Sequence, residues 1–71
     1  MLTVNQIAQY CEQEIARLQL AGDREELRRL QLAIGVLMKA AEQVRDRETA
    51  MRFRILAARA ANAQELITGE D

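Results

Sequence analysis

Histidine and proline are absent from this sequence, and cysteine occurs once, at Cys11. A single thiol cannot form an internal disulfide, which fits a reducing compartment. Without histidine, and with one cysteine, the usual zinc ligand sets cannot be assembled, and no Asp-x-Asp-x-Asp-Gly loop for calcium is present. We therefore expect neither a metal ion nor a cofactor.

Catalytic groups are equally scarce. Cys11 lacks the histidine that would activate it as a nucleophile, and it falls within an apolar helical stripe, as a buried structural thiol does. Acid–base catalysis needs carboxyl groups in a shielded cleft, whereas every paired carboxylate lies on a predicted solvent face or at a helix start. These pairs are Glu12/Glu14, Glu25/Glu26 and Glu42/Asp46. The sequence predicts a protein that is not an enzyme.

The charge balance and the lack of long apolar runs argue against nucleic acid and membrane as binding partners. The net charge is −1 and only two aromatic residues occur, so neither a basic excess nor a base-stacking platform points to nucleic acid. The first residues lack the features of a signal peptide, and no apolar run approaches the roughly 20 residues that span a bilayer. We expect a cytoplasmic protein with no membrane contact.

The composition favours helix throughout, and the first helix has clear limits. Thr3 and Gln6 have the spacing of a capping box, and Leu2 and Ile7 that of a hydrophobic staple. Gly22 is suited to the left-handed position that ends a helix. Helix one is therefore predicted over about residues 4–21, with an apolar stripe of Val4, Ile7, Cys11, Ile15 and Leu18.

A second helix is predicted to start after Asp23, which can cap it, and to run over about residues 24–45. Its apolar residues recur at spacings of three and four, as in a coiled-coil seam. They are Leu27, Leu30, Ile34, Leu37, Ala41 and Val44. Because Gly22-Asp23 is so short a connection, helices one and two are predicted to pair as an antiparallel hairpin.

The apolar pattern changes phase after Val44, and a new stripe contains Phe53, Leu56, Ala60, Ala63 and Ile67. One interpretation is a break near residues 45–49, with Asp46 capping a third helix over about 47–67 in a three-helix bundle. The other is one long helix from Arg24 to about Ile67 that dimerises. Either way the fold class is all-α, a helical hairpin extended by a third helical segment, in a single domain covering residues 1–71.

An apolar surplus indicates a binding surface. Leu32 and Val36 lie off the helix-two seam, and Met51, Ile55 and Ala58 form a second stripe on the third segment. Two apolar faces indicate contact on two sides, unless the helix is central in a monomeric bundle. We expect another protein chain, itself helical, in a homo-oligomer or a hetero-complex.

Arginines border this stripe. Arg45, Arg52 and Arg59 repeat every seven residues and would share one helical line at the rim of the interface, with Arg47 and Arg54 on a second line. The alternative hypothesis is a small nucleic-acid-binding regulator that uses the arginine-rich segment 45–59.

Residues 20–30, Leu-Ala-Gly-Asp-Arg-Glu-Glu-Leu-Arg-Arg-Leu, form a glycine turn followed by a capped, leucine-patterned helix. This run resembles the small co-chaperones that escort needle subunits in bacterial type III secretion, over roughly residues 4–44. The resemblance implies a cytoplasmic helical hairpin that pairs with a second chaperone to shield an aggregation-prone subunit. An adaptor or chaperone-like module is thus the function that we expect.

Overall fold

The computed structural model describes residues 1–67, which form three α-helices. They are α1 (Val4–Ala21), α2 (Arg24–Gln43) and α3 (Arg47–Leu66). The chain is therefore a three-helix arrangement, and the alternative of one continuous helix from Arg24 to Ile67 is wrong. Helix α2 ends two residues before the predicted position 45, and the predicted domain limit at residue 71 lies outside the described residues.

Both ends of α1 follow the predicted capping chemistry. The Thr3 hydroxyl accepts a hydrogen bond from the Gln6 amide at 3.1 Å, and the Gln6 side chain accepts one from the Thr3 amide at 2.9 Å. At the other end, Gly22 has a φ of 70°, and the Asp23 amide donates to the Leu18 carbonyl at 2.9 Å. Leu2 remains 69% exposed, so the predicted staple buries little of it.

The break between α2 and α3 occurs where Asp46 was predicted to cap. Its carboxylate accepts hydrogen bonds from the amide and the hydroxyl of Thr49, at 3.1 and 2.7 Å. Arg45 has a φ of 61°, the left-handed conformation that turns the chain. Val44, predicted in the helix-two seam, is the residue that caps α2 and is 73% exposed.

The core lies where one face of each helix meets the other two. Leu27 and Ile34 of α2 are fully buried at its centre, whereas Leu30 and Leu37 of the predicted seam are only half-buried. The third apolar stripe is buried along α3 from Phe53 to Ala63. The buried residues of α1 and α3 are Ala8, Cys11, Ile15, Leu18, Ala50, Phe53, Leu56, Ala60 and Ala63.

Helices α2 and α3 form the most extensive helix pair, and α1 packs against both. The Arg24 guanidinium, at the start of α2, donates to the carbonyls of Gln64 and Ile67 at the end of α3. At the opposite end, Arg52 of α3 donates to the Asn5 side chain of α1. These bonds place α3 antiparallel to α2 and parallel to α1, so the predicted α1–α2 pairing accounts for the smaller part of the packing.

Candidate interaction surface

Helix α3 carries an apolar stripe on the side opposite its buried face. Met51 is 53% exposed, Ile55 is 49% exposed, and Leu66 is 68% exposed. At 3.6 residues per turn, these residues share one side of the helix with Ala58 and Asn62, which are also exposed. We call this set the α3 outer face: Met51, Ile55, Ala58, Asn62 and Leu66. Met51, Ile55 and Ala58 were predicted from the sequence, whereas Leu66 was not, although it follows Asn62 by four residues.

An open groove adjoins the α3 outer face on the side of α1. It has a volume of about 650 Å³, and the exposed Val4 lines it together with Met51 and Ile55. Its other lining residues are Thr3, Asn5, Glu48, Thr49 and Arg52. The apolar surface therefore continues from α3 onto the first turn of α1.

Arg52 and Arg59 were both predicted at the rim of the interface, but the structure gives them different surroundings. Arg52 is half-buried and donates to Asn5, so it ties α3 to α1 at the groove. Arg59 is exposed one turn beyond Ile55. Of the two, Arg59 keeps its guanidinium open to a second chain.

Arg45 does not share the helical line predicted for Arg45, Arg52 and Arg59, because it lies in the turn before α3. It lines an open pocket of about 490 Å³ with Arg47 and Arg54. The other lining residues are Glu42, Ala50 and Met51. Within residues 1–67, none of these three arginines has an acidic partner within 4 Å. Met51 lines both the pocket and the groove, so a basic patch borders the α3 outer face at its N-terminal end.

Leu32 and Val36 are exposed on α2, on the side of that helix opposite Ile34. Neither of them lines the groove or the arginine pocket. The predicted interface residues thus divide into a pair on α2 and a larger group around Met51, on α3 and in the turn before it.

Cys11, Glu14 and Asp46 have shifted pKa values, and each shift holds the group in the protonation state that is typical of a structural residue. Cys11 is 4% exposed, and its burial, followed by the nearby Glu12 carboxylate, raises the pKa of its thiol, so the weakly nucleophilic protonated form dominates at neutral pH. A hydrogen bond from Arg17 lowers the pKa of Glu14, and hydrogen bonds from Thr49 lower the pKa of Asp46. Both carboxyl groups are charged at neutral pH, whereas a general acid needs a raised pKa.

The described part of the chain also contains no cluster of three or more histidine, cysteine or acidic side chains placed to hold a metal ion. In the same residues, every helix is too short or too polar to cross a membrane.

No protein-family model matches this chain, and neither does any curated protein or solved structure.

Proposed function

We propose that this protein is a non-enzymatic interaction module that binds a helix of another protein chain on the α3 outer face. One observation carries this proposal: α3 exposes Met51, Ile55 and Leu66 although its opposite side already fills the core. A surface helix needs only one apolar face, and a second one is typical of a helix that contacts two neighbours.

The α3 outer face has the properties of an interface centre. Fully burying a Met, Ile or Leu side chain contributes about 1.5–3 kcal/mol, and roughly half of the surface of Met51 and Ile55 is still exposed. Ala58 is small, so another helix can approach closely beside Ile55. Arg54 and Arg59 border the stripe, and arginine stems cover apolar surface while their guanidinium groups stay hydrated.

We further propose an adaptor or chaperone-like role in the cytoplasm, of the kind that type III secretion co-chaperones perform. The capped hairpin of α1 and α2, with its glycine turn at residue 22, supports this role. Co-purification with a type III secretion needle subunit would test it. Failure to co-purify would remove the secretion role and leave the interaction module.

The test of the interaction module is a pair of matched double variants. Met51→Asp with Ile55→Asp introduces two carboxylates into the α3 outer face, and Leu32→Asp with Val36→Asp does the same on exposed α2 positions. Light-scattering mass and pull-down from an extract of the source organism are measured for each. We expect the α3 variant to lose associated chains and the α2 variant to keep them, with both still helical by circular dichroism.

Two results would contradict this proposal. If the folded α3 variant keeps wild-type mass and wild-type bound chains, the α3 outer face is not the interface. If the wild type is a folded monomer and the α3 variant unfolds, Met51 and Ile55 stabilise the bundle itself and the α3 outer face needs no partner.

A second function, binding a nucleic-acid backbone, is favoured by one observation: Arg45, Arg47 and Arg54 line a common pocket, and although Glu42 also lines it, none of the three arginines has a carboxylate oxygen within 4 Å among residues 1–67. Titration with generic duplex DNA at increasing salt would test it, because phosphate contacts give a steep salt dependence. Micromolar affinity that falls with salt, and that is lost in Arg47→Gln with Arg54→Gln, would support it. Equal binding by wild type and variant would exclude this pocket.

A further inference from the structure

We infer that the helix bound on the α3 outer face is α3 of a second copy of this chain, packed antiparallel. In this pair Met51 of each copy faces Ile55 of the other, and Glu48 of each copy faces Arg59 of the other. The inference rests on the proposed function and names its partner.

The spacing of residues along α3 favours this antiparallel pairing. In an antiparallel pair related by a two-fold axis, two residues face each other when they lie equally far on either side of the axis. Met51 and Ile55 lie two residues on either side of position 53. The midpoint between Glu48 and Arg59 lies at position 53.5, half a residue beyond the midpoint between Met51 and Ile55. Glu48 and Arg59 are about 16.5 Å apart along the helix axis. One axis position therefore serves both pairs.

On one edge of the α3 outer face, Glu48 and Arg59 are placed for this pairing. Glu48 and Arg59 are separated by eleven residues, close to three full turns, so they lie along the same edge of the α3 outer face. An antiparallel two-fold pair brings that edge against the same edge of the second copy. Glu48 and Arg59 are both exposed, and within residues 1–67 neither forms an ion pair. The dimer then contains two equivalent ion pairs at its rim.

Neighbouring registers match less well. Sliding the second helix by about one turn in one direction places Ile55 against its own copy and Met51 against Arg59. Sliding it in the other direction places Met51 against its own copy and Ile55 against Arg47. A larger slide places Met51 against Asn62 and Glu48 against Glu65. Of these registers, only the Met51–Ile55 register covers Met51 and Ile55 together and opposes Glu48 to Arg59. On the other edge it brings Arg54 near Arg54 of the second copy, and Leu66 lies beyond the paired segment.

The groove beside α1 adds to the contact. Val4, Met51 and Ile55 line it together, so the second copy also covers the first turn of α1. A single pair of helices buries less than the roughly 1,200 Å² typical of a stable interface. We therefore expect a dimer whose population rises with protein concentration.

The experiment is a charge exchange measured by sedimentation equilibrium at low salt over a wide concentration range. Glu48→Arg sets two arginines against each other at each rim contact, and Arg59→Glu does the same with two glutamates. Each single variant should weaken dimerisation about tenfold, and the double variant should restore it. Glu12→Arg, an exposed change of the same charge on α1, should leave dimerisation unchanged. Thermal midpoints show that each variant is folded.

Three results would overturn the inference: a monomeric wild type at every concentration, single variants that dimerise like wild type, or a double variant that stays weakened. None of these removes the proposed function if the aspartate substitutions at Met51 and Ile55 still abolish binding of other chains. If those substitutions change neither mass nor bound chains, the proposed function fails as well.

Discussion

The turns at Gly22-Asp23 and at Arg45-Asp46, called the first and second corners, have the same pattern of backbone hydrogen bonds. They differ in the residue that adopts the left-handed conformation. At the first corner, the Gly22 and Asp23 amides donate to the carbonyls of Gln19 and Leu18. At the second, the Arg45 and Asp46 amides donate to the carbonyls of Glu42 and Ala41. In each case the first residue is left-handed and the second caps the next helix.

The comparison shows how the left-handed backbone conformation is stabilised at each corner. Glycine adopts the left-handed conformation without steric cost, whereas a residue with a Cβ is disfavoured there by roughly 1–2 kcal/mol. The second corner tolerates Arg45 because it joins α2 and α3, the most extensively packed pair of helices. Burial of side chains such as Phe53 and Leu56 offsets the local backbone cost. Tertiary packing therefore decides this corner, and the local sequence decides the first.

The largest expected effect comes from Ile34→Ala, because Ile34 is fully buried on α2, the helix that both corners share. We expect a loss of about 2–5 kcal/mol in the free energy of unfolding. Urea denaturation followed by circular dichroism measures it. Leu30→Ala is the control on the same helix and should cost less, since Leu30 is only half-buried. Equal losses for the two variants, or none, would show that the core is centred elsewhere.

The next largest effect is expected from alanine substitutions at the two corners, which should differ in their effect on stability. Gly22→Ala should destabilise the protein by roughly 1–2 kcal/mol, because alanine resists the φ of 70° although the added Cβ would meet no atom within 4 Å. Arg45→Ala exchanges one residue with a Cβ for another and should change stability little. Thermal melts of the two variants make the comparison. Equal losses at both corners would mean that the left-handed conformation is not what distinguishes them.

A glycine outside the corners should respond in the opposite direction. Gly35 lies within α2, its added Cβ would also meet no atom within 4 Å, and its φ is not positive. Gly35→Ala should raise the free energy of unfolding by about 0.5–1 kcal/mol, because alanine loses less backbone entropy in a helix. The measurement is the same thermal melt. A loss of stability would show that a close contact, rather than backbone freedom, sets this position.

Arg45→Gly should make the second corner resemble the first. Relief of the left-handed strain, less the greater entropy of glycine in the unfolded chain, leaves a gain of about 0.5 kcal/mol. Denaturant midpoints for this variant and for Arg45→Ala isolate the backbone contribution from the loss of the guanidinium. If glycine proves less stable than alanine at this position, Arg45 is not strained.

The smallest expected effect is a loss of stability at acid pH. Hydrogen bonds from Thr49 lower the pKa of Asp46 below its ordinary value of 3.8. The stability that this carboxylate contributes is therefore fully present above about pH 4 and is lost as the pH falls through the lowered pKa. Asp46→Asn keeps a capping oxygen but cannot titrate there, so its thermal midpoint should decline less between pH 5 and pH 2. Identical declines in wild type and variant would exclude a contribution from Asp46.

The candidate site was only partly predictable. The spacing of Met51, Ile55 and Ala58 is regular enough to place them on one side of a helix, which the structure shows exposed. Leu66 was missed because Asn62 interrupts the apolar pattern before it. The grouping of Arg45 with Arg47 and Arg54 could not be predicted from a helical repeat, because Arg45 lies in a turn.

Local chemistry determined most of the secondary structure. The cap at Thr3, the glycine at 22 and the carboxylate of Asp23 act within a few residues, so the sequence by itself sets where α1 and α2 begin and where α1 ends. Asp46 supplies a cap for α3, but the sequence left open whether a helix begins there. The periodicity of Phe53, Leu56 and Ala60 likewise determined the buried face of α3.

The end of α2 and the choice of helix pairs depended on the tertiary structure. Nothing local stops a helix at Gln43, and Val44 continues the apolar spacing, so a long helix and a turn at Arg45 had similar local support. Packing of α3 back along α2 decided between them, because that burial requires the chain to reverse and outweighs the cost of a left-handed arginine. The same reversal leaves Met51 and Ile55 on the outside of the bundle.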